Sequence, residues 1–302
     1  MVNKKSILIT GITGFIGTQL QKVLVDSNYQ IFGLLRQEKM QHIAFQKTKS
    51  ITYLTLPDIE KNALYFDTII NLAGENIAGA RWTKNRKNEL KLSRVSLTEQ
   101  LYQALSKKPK TFISMSAIGI YGTDNSQQFD ESMEGEEGFA CELCKEWEKA
   151  ALHFAQSDAR VCILRLGVVL GKGGALEKML LPFKLGLGGK IGSGKQFFPW
   201  IHIDDVTRLI LFLLEQEHLK GVFNAVAPQS ITQQQFAQIF ASVLHRPCVL
   251  TTPQWLLSLL FGEMSILLTS GVQVVPTRTL DAGFYFQYAN IEKALKNIYF
   301  PE

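Results

Sequence analysis

The chain has only four cysteines in 302 residues. So few in so long a chain build no disulfide framework and point to a reducing compartment. No run of residues approaches the roughly 20 apolar positions that a membrane span needs. The nearest, Trp255 to Leu260, stops at Gly262-Glu263. At the N-terminus, Lys4-Lys5 before Ile7-Leu-Ile9 imitates a secretion signal, but the apolar part breaks on Thr10-Gly11 and no small-residue cleavage site follows. A surplus of one charge is also missing. The net charge is +5 and the pI near 8.9, too mild to argue for a nucleic-acid partner. Repeats and low-complexity segments are absent. What remains is a cytoplasmic globular protein with no membrane or nucleic-acid role, long enough to bury a sizeable core.

The stretch that organises the chain is Ile7-Leu-Ile-Thr-Gly-Ile-Thr-Gly-Phe-Ile-Gly17. An apolar, β-branched run reads as a buried strand ending on Gly11. From Phe15 the apolar spacing (Phe15, Ile16, Leu20, Val23, Leu24) turns helical. Strand, glycine turn and helix cradle a dinucleotide. Gly11 permits the tight turn, Gly14 lets backbone approach a pyrophosphate, and Gly17 lets helix and strand pack closely. Thr13, Phe15 and Ile16 lie in the same cradle, where free N–H groups and the helix dipole favour an anion.

Further strands are expected at 29–35, 51–56, 67–72, 111–116 and 161–166, with helices at 84–106 and 138–157 between the later ones. Near-continuous apolar strands alternating with helices imply a Rossmann-type, doubly wound parallel sheet covered on both faces. The pattern loosens after Gly167. A helix at 204–216, a strand at 222–227 and a helix at 232–244 follow, with Thr232 as N-cap and Gln235 at the capping-box position. This divides the chain into a dinucleotide-binding domain, 1–166, and a smaller, partly interleaved α/β substrate lobe, 167–302. Ligands bind outside the carboxyl ends of such strands. One crevice therefore collects Gly11 to Gly17, Arg36, Leu72, Ala73, Gly74 and Glu75, Ser116 to Gly122, and Gly167 to Leu170.

The residue after the second strand selects the nucleotide. A carboxylate there would hydrogen-bond a ribose 2′-hydroxyl, but this strand ends Leu34-Leu-Arg36. A guanidinium pairs well with a 2′-phosphate, so NADP(H) is expected over NAD(H).

Thr10 to Gly17, Asn71-Leu-Ala-Gly74, Ser116-Ala-Ile-Gly-Ile-Tyr-Gly122 and His202-Ile-Asp-Asp205 resemble the extended short-chain dehydrogenase/reductase superfamily. Arg81-Trp-Thr83, Cys144-Lys-Glu-Trp-Glu148, Leu180 to Gly189 and Trp200 to Asp205 narrow the resemblance to its NAD(P)-dependent epimerase-like branch of uncertain substrate. The resemblance covers nearly the whole chain. It implies dinucleotide contacts at the glycine turn, Arg36 and Leu72 to Gly74, with nicotinamide near Ser116, Gly167 and Val168. It also implies a small-molecule substrate and a homodimer through the helices flanking the fifth strand. One part of the family pattern is missing. Such enzymes carry Tyr-x-x-x-Lys on the helix that here spans 138–157, and the lysine lowers the tyrosine's pKa. Counting back from Glu148 puts Ala140 and Cys144 at those positions. Shifting by one gives Cys141 and Lys145.

The candidate catalytic groups are therefore Ser116, Cys141, Lys145 and Glu75. Glu75 is either an acid/base or the ion-pair partner of Arg81. Arg81 is placed to bind an anionic substrate. Trp200 is either a lid over substrate or part of the core. His202 pairs with Asp204 and Asp205 near the substrate or, as the simpler reading, is a satisfied buried residue with Asp204 capping the helix. Cys141-x-x-Cys144 has no matching ligand set, so no metal is expected. Gly189-x-x-x-x-Gly194-Lys195 lacks the Ser/Thr of a phosphate loop and reads as a flexible loop at the site's mouth. Two functions fit: an NADP(H)-dependent oxidoreductase or epimerase, or a catalytically silent NADP(H)-binding regulator.

Overall fold

A computed structural model describes residues 4–25, 27–43, 51–123, 127–135 and 137–301. The first half runs β1 (Lys5–Thr10), α1 (Phe15–Leu24), β2 (Tyr29–Leu34), α2 (Gln37–Ile43), β3 (Ile51–Leu54), α3 (Leu56–Lys61), β4 (Thr68–Asn71), α4 (Lys84–Lys91), a π-helical turn (Leu92–Ser96), α5 (Leu97–Ala104) and β5 (Thr111–Ala117). Then come β6 (Gln128–Phe129), α6 (Phe139–Leu152), β7 (Arg160–Leu166), β8 (Val168–Leu170), α7 (Gly174–Lys184), β9 (Gly189–Ile191), β10 (Trp200–His202), α8 (Ile203–Glu215) and β11 (Gly221–Ala225). The chain closes with α9 (Gln233–Val243), β12 (Leu250–Thr252), α10 (Gln254–Phe261), α11 (Ile266–Thr269), β13 (Gln273–Val274), α12 (Thr277–Asp281) and α13 (Ile291–Tyr299).

Seven parallel strands form one sheet in the order β3-β2-β1-β4-β5-β7-β11. This is the expected doubly wound architecture. Alternate residues of each strand face opposite layers. Ile7 and Ile9 join one buried cluster with Leu20 and Leu24 of α1 and Val206, Leu209 and Leu213 of α8. Leu8 joins another, with Ile59 of α3, Leu101 of α5 and Phe154. A third cluster lies among α7, α9 and α13, around Phe183, Trp200, Phe236, Phe240 and Leu295. The strand expected at 222–227 returns to the main sheet as its seventh member, so residues beyond 166 also build that sheet.

Three local expectations change. The helix expected over 84–106 carries a π-helical turn in its middle. The glycine stretch from Gly189 is held by hydrogen bonds: β9 pairs with β12, and Gln196 Nε2 donates to the carbonyls of Ile191 and Leu268. α8 is capped by His202, whose Nδ1 accepts from the Asp204 N–H at 3.1 Å, and not by Asp204. The Asp204 carboxylate instead accepts from Gln19 of α1. The expected Thr232–Gln235 capping box is present.

Two tests follow from this packing. A Cβ on Gly17 would stand 2.4 Å from the Gly11 carbonyl oxygen and 2.6 Å from that of Ile12. Gly17→Ala should therefore unfold at lower temperature, losing about 1–3 kcal/mol through overpacking of the turn. His202 is buried, and burial lowers its pKa below the ordinary 6.5 despite Asp204 and Asp205 nearby. A lowered folded-state pKa gives stability that is whole above 6.5 and is lost as pH falls from there through the folded value. Melting curves from pH 7.5 to 5 should fall more for the wild type than for His202→Asn, which keeps a capping oxygen without a titration. Parallel curves would refute this.

Candidate functional site

The carboxyl ends of β1 and β4 meet where the strand order reverses, the place such sheets use for ligands. Gly11 has φ +64°, and a Cβ there would lie 2.8 Å from the Leu72 carbonyl and 2.9 Å from the Ala73 nitrogen. Only glycine brings the two backbones so close. Thr10 fastens the approach: its hydroxyl donates to Asn71 Oδ1 at 2.7 Å and accepts from the Ala73 N–H at 3.1 Å. Asn71 in turn donates to Thr98 and Ser114. Gly14 is the N-cap of α1 and no side chain caps that helix, so the first-turn N–H groups stay available to an anion. A cleft of about 410 Å³ opens beside Thr13 and Gly14, walled by Phe15, Lys22, Lys172 and Asp204. At the far side Gly167 fits against Pro199 and Val226, and the Val168 N–H donates to the Pro199 carbonyl.

Arg36 and Glu75 meet across the ends of β2 and β4, with Nη2 to Oε1 at 2.6 Å. Arg86 stands 3.8 Å from the same carboxylate. The Arg36 hydrogen bond holds the Glu75 carboxyl below its usual range, so Glu75 is ionised at neutral pH and is no general acid. Its partner is Arg36 and not Arg81.

The other catalytic candidates turn inward. Ser116 is buried and donates to Glu148 Oε1 at 2.6 Å. Glu148 and Arg165 form a buried bidentate pair at 2.9 and 3.0 Å. Arg165 also donates to Tyr121, whose hydroxyl donates to Asn224 Oδ1 at 2.7 Å. Burial pushes the Tyr121 phenol up to about 12. The Cys141 thiol donates to the Ile120 carbonyl at 3.0 Å, and burial raises its pKa, which leaves it protonated. Lys145 donates to the Gly135 carbonyl at 2.8 Å. Cys144 is buried too, its thiol pushed up to about 12. Ala140 stands beside Gly119, where a Cβ would meet the Ala140 methyl at 3.3 Å. Ser116, Cys141 and Lys145 therefore serve hydrogen bonds inside the protein.

The substrate candidates are likewise engaged. Arg81 donates from Nε to the Leu260 carbonyl at 2.7 Å and from Nη2 to that of Leu259, tying the β4 loop to the end of α10. Trp200 is fully buried in the third cluster and is core, not lid. His202 is a buried cap whose ring packs, tilted, against that of Tyr288, with centroids 3.9 Å apart. Among the described residues no three His, Cys, Asp or Glu side chains converge as a metal site would need.

One residue that the sequence did not single out stands out here. Arg94, on the π-helical turn, places its guanidinium 3.0–3.3 Å from where a Cβ on Gly74 would stand. It donates to the Glu75 carbonyl at 2.8 Å and lies 5.3 Å over the Trp147 ring. The only sequence signal was its position ten residues into a helix expected to be regular.

Comparison with known proteins agrees with this geometry. The NAD dependent epimerase/dehydratase family model matches residues 7–225, and a domain of unknown function, DUF1731, matches residues 252–298. Epimerase family protein YfhF of Bacillus subtilis is 36% identical over 97% of both chains. Human epimerase family protein SDR39U1 is 36% identical over 97% of this chain and 99% of its own. A crystal structure of the human protein with NADPH superposes with a TM-score of 0.88 at 35% identity, covering 97% of this chain and 98% of that one. UDP-glucuronic acid 4-epimerase from Bacillus cereus, at 18% identity over 98% of both chains, shares the fold with a TM-score of 0.76. Glycine turn, switch-point crevice and family match coincide along one sequence, and the chain belongs to the NAD dependent epimerase/dehydratase family, within the extended short-chain dehydrogenase/reductases.

Proposed function

We propose that the chain is an NADP(H)-dependent oxidoreductase or epimerase acting on a small polar substrate. The observation that carries this is the uncapped first turn of α1, set against the β4 end by Gly11 and Gly17, with Arg36 at the end of β2. The space at those glycines suits a pyrophosphate on the N–H groups of Phe15, Ile16 and Gly17. Arg36 is 60% exposed, and an exposed pair with Glu75 is worth only about 0–1 kcal/mol, so its guanidinium is free to turn to a 2′-phosphate. The NADPH bound by the human relative supports the same choice. Leu72 to Gly74 would line the middle of the cofactor, and Gly167 and Val168 its nicotinamide end. When bound, the nicotinamide supplies a hydride. The chain's residues bind and orient, and no side chain is assigned the proton. The segment after 167 is the substrate lobe of this reading, and the helices flanking β5 are its dimer surface.

NADPH at 100 times its Kd should add about 2.7 kcal/mol of stability by linkage. No melting shift would refute cofactor binding. Fluorescence titration should show Arg36→Asp moving preference from NADPH towards NADH, and an unchanged preference would remove Arg36 from the site. Turnover of NADPH with a panel of sugars, aldehydes and ketones, above a Gly14 variant, separates an enzyme from a silent binder.

A further inference from the structure

The polar groups around the β4 end divide unevenly. Its carboxylates are engaged: Glu75 by Arg36 and Arg86, Glu89 by Arg86, and Glu148 by Arg165. Among the described residues none pairs with Arg94. Its guanidinium reaches neutral acceptors only: the Glu75 carbonyl at 2.8 Å, and, more weakly, Ser93 Oγ at 3.3 Å and the Leu90 carbonyl at 3.4 Å. Nε makes no hydrogen bond with a described residue. Burial lowers the Arg94 pKa, the sign of a cation partly stripped of water. A desolvated cation with no carboxylate in contact is costly, and a bound anion offsets that cost.

Position narrows what the anion belongs to. The guanidinium sits against Gly74, where a Cβ would stand only 3.0–3.3 Å from it. On its other side is Trp147, one turn along α6 from Cys144, which one of the two registers sets at the family's lysine position. The Trp147 indole N–H is also buried without an acceptor. A positive charge is thus delivered from the π-helical turn to the side of α6 that carries Cys144 and Trp147.

We propose that Arg94 binds a carboxylate or phosphate of the substrate beside Gly74, so that the substrate is an acid and not a neutral sugar or alcohol. This rests on the reading of the crevice as a site for NADPH and substrate. A guanidinium suits the role because its planar fork meets two oxygens at once.

The test starts with NADPH affinity, by fluorescence, for wild type, R94Q, R94M and R94K. Malonate and inorganic phosphate are then titrated into the NADPH-saturated proteins, with ionic strength matched by chloride, and the melting temperature is read. In the wild type at least one anion should raise the melting temperature saturably. R94Q should weaken that response about tenfold or more, as loss of a charged hydrogen bond does. R94M is a second neutral variant should glutamine disturb the turn. R94K should recover part of the response, and NADPH affinity should change by less than about threefold in each variant. A merely structural Arg94 would lower the baseline melting temperature and leave the anion response intact, which overturns the proposal. So does a wild type that responds to neither anion. A parallel fall in NADPH affinity would assign Arg94 to a cofactor phosphate and overturn the substrate role. Failure of the wild type to bind NADPH would instead bring down the cofactor reading beneath it.

Discussion

One close approach of backbone to backbone sets the geometry of the crevice. Between β1 and α1 the chain passes so near the end of β4 that a Cβ on Gly11 would stand 2.8 Å from the Leu72 carbonyl. Within the turn, Gly17 packs on the Gly11 and Ile12 carbonyls with no room for a methyl. Thr10 then locks the two strand ends through Asn71 and Ala73. These contacts bring the uncapped start of α1 to the point where strand order reverses. A bulkier turn would push α1 out and take with it both the helix dipole and the neighbouring loop after Asn71.

A second constraint decides which side chains are left for chemistry. The Glu148–Arg165 pair is buried, and removing one partner from such a pair costs about 3–5 kcal/mol. The pair therefore needs every supporting hydrogen bond it has. Ser116 supplies one to Glu148, and Tyr121 accepts one from Arg165. Both lie at the end of β5, where the family's resemblance would place proton transfer. Here they brace α6 against β5 and β7. This leaves a crevice rich in backbone donors and arginines and poor in groups that titrate near neutrality.

The legible parts of the sequence were those fixed by local physics. The glycine turn announces itself because strand, turn and helix are contiguous, and each glycine answers a clash within a few residues. Strand alternation with helices carried the sheet to within a residue or two at most ends. The side-chain assignments failed where distant segments decide. Arg81 sits beside the crevice in sequence, but its partners are carbonyls of α10, nearly 180 residues on. Trp200 reads equally as lid or core and His202 more simply as a buried residue, and distant segments decide both: the hydrophobic cluster of α7, α9 and α13 closes over the first and Tyr288 packs on the second. Glu75 was expected near an arginine, and the right one comes from β2, a strand that lies next to β1 only through the sheet.

The least legible feature was the π-helical turn, and its consequences reach the crevice. On a regular helix over 84–106, Leu90, Leu97, Leu101 and Leu105 would share one continuous face. With one wider turn at Leu92–Ser96, Leu90 and Val95 pack into one cluster and Leu101 and Leu105 into the other. The irregularity also aims two adjacent side chains at the loop after β4. Ser93 Oγ accepts from the Glu75 N–H at 3.0 Å, and Arg94 donates to the Glu75 carbonyl at 2.8 Å. Both backbone groups of one loop residue are thus held by one turn of helix. π-turns are rare and recur at functional sites, because their weaker helical bonding persists where something else depends on the displaced side chains. Here that dependence is visible: the loop carrying Gly74 and Glu75 is positioned from the helix, and the same turn sets a guanidinium beside it.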